Sequence, residues 1–209
     1  MIKVFLCLIL SKISQREVNM NEEPIRRINF RAFKVLCREM STYEDLNTLF
    51  NEIVELICRS FEVKACAILL FDERLQELFH VASYGISDEY LEKGPIPIRI
   101  EDSALTTGEA VCIENMLDDQ RILYPNAAKK EGFESMICFP ITCRKEVIGM
   151  IRVYHHEQLK LAEYDMDSFG VLNRLLGLII EHHGMKNFIE EIKSAFSNLP
   201  LRMIKGIES

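Results

Sequence analysis

FESMICFPITCRKEVIGMIRVY, residues 133–154, holds the pattern that decides the fold. Two apolar runs meet at the charged pair Arg144-Lys145. Each run has strand length, and so tight a connection implies an antiparallel hairpin. The first run carries Cys138 and Cys143, an odd number of positions apart. In an extended strand such residues point to opposite faces. Unless a bulge near Pro140 breaks the alternation, the two thiols share neither a metal nor a disulfide. Cys143 travels with Ile137, Phe139 and Ile141, the larger apolar set, which is expected to pack under helices. Cys138 travels with Met136 and Pro140 and is expected to face the other way.

Upstream, residues 24–40 read as a helix with Pro24 in its first turn and Ile25, Ile28, Ala32, Val35 and Leu36 at helical spacing. Ser41 and Glu44 form a capping-box pattern before a second helix that runs to about Ser60. The period then changes. KACAILLFD (64–72) is a continuous apolar run, as a strand covered on both faces would be. ELFHVASYG (77–85) alternates less cleanly and reads as a strand nearer the edge. Residues 86–101 contain Gly94, Pro95 and Pro97 and are irregular, with a short strand over 96–100. A short helix over 104–109, a strand over 110–115 and a short helix closed by Gly132 follow. From Glu163 to Phe196 the chain is helical again. The fold class is α+β: an antiparallel sheet, terminal helices on one face, and residues 86–132 left to cover the other.

The chain of 209 residues is 48% hydrophobic and 27% charged, the balance of a globular domain with some additional helix. Its net charge of −7 and its isolated basic pairs, Arg26-Arg27 and Lys129-Lys130, argue against nucleic-acid binding. Seven cysteines without a CxxC pair read as reduced thiols of a cytoplasmic protein. MIKVFLCLIL at the start is too short to span a bilayer and lacks a cleavage site, and Met20 begins a sequence resembling an ordinary start. Residues 1–23 are therefore expected to be an extension, 24–183 the domain, and 184–209 a helical extension.

Several phrases, in this order, resemble the GAF domain family of ligand-sensing modules. They are KACAILLFD, ASYGISDEYLEKGPIPI, SALTTGEAVCIENMLDD, YPNAAKKEGFESMICFPI and EVIGMIRVY, and the resemblance spans about residues 40–183. It implies a six-stranded antiparallel sheet with a helical layer on one face and a ligand cup on the other. Family ligands include cyclic nucleotides, bilins, haem and small anions, so the fold does not name the ligand. The Asn-Lys-Phe-Asp-Glu motif of cyclic-nucleotide binders is absent, as is a Cys-His pair for bilin attachment. Free-methionine-sulfoxide reductases of this family place cysteines before the third helix, whereas residues 67–111 hold none. The residues expected to meet a ligand are Tyr84, Ser103, Thr106, Cys112, Asp118, Tyr124, Met136 and Cys138. No catalytic or metal-binding residue is assigned, and the cofactor and ligand stay unknown.

Three functions remain open. A sensory module would hold a small molecule in the cup, alone or acting on a separate signalling protein. A redox enzyme or thiol sensor would pair Cys112 with Cys138. A structural dimerisation module would fill the cup with its own side chains. The histidine pairs His155-His156 and His182-His183 each offer at most one ligand to a shared metal, because neighbours on a strand or helix diverge. In the last helix, Val171, Leu175, Leu178, His182, Met185, Ile189, Ile192 and Phe196 recur at alternating steps of four and three. A second stripe, Leu172, Leu176 and Ile179, runs beside them. A helix apolar on two sides packs against its own sheet and against a partner, so a homodimer through residues 25–40 and 169–196 is expected.

Overall fold

A computed structural model describes residues 30–97 and 103–197. The expectations for residues 1–29 and the distal part of the strand over 96–100 lie outside the described residues. Helices α1 (Phe30–Thr42) and α2 (Leu46–Phe61) lead into strands β1 (Ala65–Asp72) and β2 (Glu77–Tyr84). A single turn α3 (Asp88–Leu91), strand β3 (Ile96–Pro97), α4 (Ser103–Thr107), β4 (Val111–Ile113) and α5 (Pro125–Glu131) follow. The hairpin β5 (Ser135–Cys143) and β6 (Glu146–His155) and the long helix α6 (Glu163–Ser197) complete the chain. The six strands form one antiparallel sheet in the order β3-β2-β1-β6-β5-β4.

The two faces of the sheet bury separate cores. On one face, Ile137, Phe139, Ile141, Ile151 and Val153 pack with α2 and with Phe169, Leu172 and Leu176 of α6. Phe169 stacks between Phe61 and Phe139, with ring centroids 4.8 and 4.1 Å away. On the other face, Ala67, Leu69, Met136, Cys138, Met150 and Tyr154 are roofed by Tyr90, Ile96, Ala104, Met116 and Phe133. The irregular 86–132 segment thus lies opposite the helices. The parity argument for β5 holds: Cys138 is under the roof, while the Cys143 thiol donates to Glu181 of α6 at 3.0 Å.

One local expectation is corrected. The cap of α2 is Asp45, which accepts the Thr48 N–H at 2.8 Å, not Ser41. Ser41 still belongs to α1, where its hydroxyl and that of Thr42 donate back to the Arg38 carbonyl and help end the helix. Gly177 sits where a Cβ would come within 2.3 Å of the Thr142 carbonyl oxygen, so its lack of a side chain lets the helix lie on β5. Helix α6 runs unbroken from Glu163 to Ser197, continuous into the residues read as a helical extension.

The uneven alternation of β2 has a cause. The pairing steps from Ile68↔Ala82 to Leu69↔His80, leaving Val81 as an extra residue in a bulge. The β5–β6 register shifts likewise beside Ile148, on β6 rather than near Pro140, so the faces of β5 are kept. The hairpin turn places Arg144 and Lys145 at φ 47° and 76°, a left-handed pair of the kind that suits two-residue hairpins but strains side chains. Lys145→Gly is expected to stabilise the protein by about 0.5–1 kcal/mol in urea unfolding, because the strain relieved exceeds the entropy added to the unfolded chain.

Candidate functional site

The roofed face encloses a cup of about 60 Å³. Its floor comes from β4, β5 and β6 and its walls from α3, the segment after it, and residues 116–124. Much of the lining is apolar: Ile96, Val111, Ile113, Met116, Met136 and Met150. An open vestibule of about 540 Å³ adjoins it and shares Tyr90, Lys93, Leu123 and Tyr124. Tyr124 donates its hydroxyl to the Pro95 carbonyl at 2.8 Å and closes over Gly94, where a Cβ would meet that hydroxyl at 2.7 Å. Gly94 has φ 128°, a conformation that a side chain would strain.

The polar groups of the cup are mostly cationic. Arg152 projects from the middle of β6, beside Cys138 and Ala67 on the neighbouring strands. Its Nε donates to the Met150 sulfur at 3.2 Å, a weak acceptor. Lys93 Nζ donates to the Tyr90 carbonyl at 3.0 Å and lies 3.8 Å from the centre of the Tyr90 ring. Burial, then the Arg152 charge, lowers the Lys93 pKa to about 8. Burial pushes the Tyr90 phenol far up, so it stays protonated. Arg121 is forked onto Asp119, Nε at 2.9 Å from Oδ1 and Nη2 at 2.5 Å from Oδ2. No carboxylate lines the cup among the described residues.

His80, opposite the roofed Leu69, has both ring nitrogens buried and without a hydrogen bond among the described residues. Burial, then the charges of Lys93 and Arg152, hold its pKa at about 4 against an ordinary 6.5. The fold therefore favours neutral His80, while the unfolded chain takes up a proton as pH falls below about 6.5. Stability is expected to fall between those two values. Comparing thermal or urea unfolding at pH 7 and pH 4, the parent should lose about 2 kcal/mol more than His80→Gln, allowing for partial solvent exposure of the ring.

Of the residues expected to meet a ligand, Tyr124, Met136 and Cys138 line the cup. Cys112 does not: β4 pairs Cys112 with Ile137 and Val111 with Cys138, so Cys112 lies on the opposite face from Cys138 and is exposed. Tyr84 pairs with Cys66, which packs in the helix-side core. Thr106 is exposed at the end of α4. Asp118 is exposed, accepts from Asn115 at 2.7 Å and borders a shallow outer depression with Cys112 and Glu114. Ser103 opens α4, and its side chain lies outside the described residues. Sequence reasoning missed Arg152, Lys93, Tyr90 and His80. Arg152 had a legible signal, a lone charge inside the apolar run EVIGMIRVY.

The histidines also differ from expectation. His155 ends β6 and the chain bends after it, so the His155 and His156 rings lie 4.2 Å apart instead of diverging. With Glu157 they bring three possible ligand atoms within 4.8 Å of one another. Among the described residues, no helix is long and apolar enough to cross a membrane.

No curated protein matches the chain. Solved structures share its fold. The GAF domain of a Coxiella burnetii phosphoenolpyruvate-protein phosphotransferase aligns with TM-score 0.68 and 16% identity over 76% of this chain and 95% of that one. The corresponding Acinetobacter domain gives TM-score 0.63 and 20% identity over 76% and 96%. A free methionine-R-sulfoxide reductase from Neisseria meningitidis, solved with its substrate, gives 0.60 and 16% over 72% and 86%. The family model described as GAF domain matches residues 45–180, most of the chain, and the sheet order and two-faced core agree with it. The chain belongs to the GAF domain family.

Proposed function

We propose that this protein is a small-molecule sensor whose cup ligand shifts the arrangement of terminal helices in a homodimer, and so signals to a separate protein. One juxtaposition carries the reading. The strand that supplies Met136 and Cys138 to the cup also carries Thr142 and Cys143, on which α6 rests through Gly177 and Glu181. A ligand that favours one position of β5 therefore favours one position of α6. Helix α6 meanwhile exposes Val171, Leu175, Leu178, Met185, Phe188 and Ile189, an apolar surface suited to a second copy.

The redox alternative loses its cysteine pair, since Cys112 and Cys138 occupy opposite faces. The small cup volume favours the structural alternative only if nothing binds. Mass spectrometry of extracts from purified protein is expected to find a bound small molecule, and a metabolite panel is expected to raise the thermal midpoint with at least one compound. A protein that carries no molecule and responds to no compound is a dimerisation scaffold.

A further inference from the structure

We propose that the cup selects a small organic carboxylate, its anionic head held by Arg152 and Lys93 and its short apolar body set among Met116, Met136 and Met150. The assignment rests on the cup being a ligand site and adds the ligand's chemical class.

Charge imbalance is the main argument. Arg152 is always charged, and Lys93 is mostly charged at neutral pH. Arg121 is neutralised by Asp119, but no carboxylate among the described residues pairs with Arg152 or Lys93. Buried charge without a counter-ion is costly. The Arg152 guanidinium donates Nε to a thioether and interacts with the neutral Tyr154 phenol, and neither partner balances its charge. A planar carboxylate fits that fork with two parallel hydrogen bonds. His80, with two buried nitrogens and no hydrogen-bond partner among the described residues, lies close enough to feel both cations. The Tyr90 phenol, held protonated beside Tyr154, adds no negative charge to balance the two cations.

Size and lining set the rest. About 60 Å³ in the inner cup gives room for a few heavy atoms. The three methionines adapt to an irregular aliphatic body. Among the described residues, Asp119 is engaged by Arg121, and in the vestibule Glu89 pairs with Lys130 while Glu131, which accepts from Ser87, lies near enough to favour charged Lys93.

The test uses the full chain with acetate, propionate, butyrate and 2-oxobutyrate, the neutral isosteres propanamide and butyramide, and inorganic phosphate, by calorimetric titration and thermal melting. At least one carboxylate is expected to bind and to raise the melting temperature, with its amide at least tenfold weaker. Arg152→Gln is expected to lose at least tenfold in carboxylate affinity while its ligand-free form melts no lower than the parent, because an uncompensated charge has been removed. A purely structural arginine would instead lower the ligand-free midpoint and leave the carboxylate response intact, which overturns the proposal. Lys93→Gln provides a second variant with the same expected loss of affinity. Equal binding of amide and carboxylate, or binding of phosphate alone, overturns the carboxylate assignment and leaves the sensing reading standing. If no compound binds and none is extracted from the purified protein, the sensing reading fails as well.

Discussion

Gly177→Ala is expected to destabilise the protein by about 2–3 kcal/mol, although alanine is the better helix former by about 1 kcal/mol. The new Cβ would stand 2.3 Å from the Thr142 carbonyl oxygen and 2.8 Å from its carbon. Both are backbone atoms of β5, held in the ladder with β6, and cannot rotate aside as a side-chain tip would. Helix α6 must lift, which loosens the contacts of Leu172 and Leu176, both almost wholly buried. Gly170→Ala is the control. Nothing lies within 4 Å of a Cβ there, so propensity alone acts and the variant should gain about 0.5–1 kcal/mol. Urea unfolding of the two variants beside the parent reads both signs. A stabilised Gly177→Ala protein would mean that α6 does not rest on β5 as described. The same variant should also blunt any response of the helix to a cup ligand, since the Thr142 contact is one of the joints between the two faces.

The features legible in the sequence are those governed by a local period. Alternation placed Ile137, Phe139 and Ile141 under the helices and Met136 and Cys138 under the roof, because the bulge beside Ile148 lies on β6 and leaves the faces of β5 intact. The span of α6 was legible because its apolar residues keep the same alternating steps of four and three on both sides of His182. Features that depend on pairing across the sheet were not legible. Cys112 was assigned to the cup through proximity to Cys138, but the register of a strand as short as Val111–Ile113 comes from its partner, and it sets Val111 beside Cys138. The Val81 bulge hid the faces of β2 in the same way, obscuring His80 as a cup-side residue and leaving Tyr84 on the helix side. Lys93 and Tyr90 belong to an irregular segment without periodicity, so only the tertiary roof brings them to Arg152.

Replacing Leu175 and Leu178 together by glutamate is expected to convert a dimer into a monomer without unfolding it. Both side chains are substantially exposed in the single chain, 39% and 53%, so neither is required by the chain's own core. On the same helix Leu172 and Leu176 are almost wholly buried, which divides α6 into a face committed to the sheet and a face left to solvent. Continuing outward, Met185, Phe188, Ile189 and Ile192 stay exposed beyond the end of the sheet's cover. An exposed apolar surface running along such a helix is costly in water and marks an interface. In a two-fold dimer each substitution acts twice. Each leucine is about half covered already, so losing four of them at roughly 0.7–1.5 kcal/mol each removes about 3–6 kcal/mol of association energy. That loss corresponds to roughly two to four powers of ten in the dissociation constant. Sedimentation velocity at micromolar concentration should find the parent dimeric and the double variant monomeric, with matching circular dichroism. The sharper comparison is Leu172→Glu, which charges the inner face and is expected to unfold the chain rather than separate it. If the parent itself sediments as a monomer, α6 keeps its outer face for a different protein, and the helix-to-helix route from cup to output would have to pass through that partner instead of through a twin.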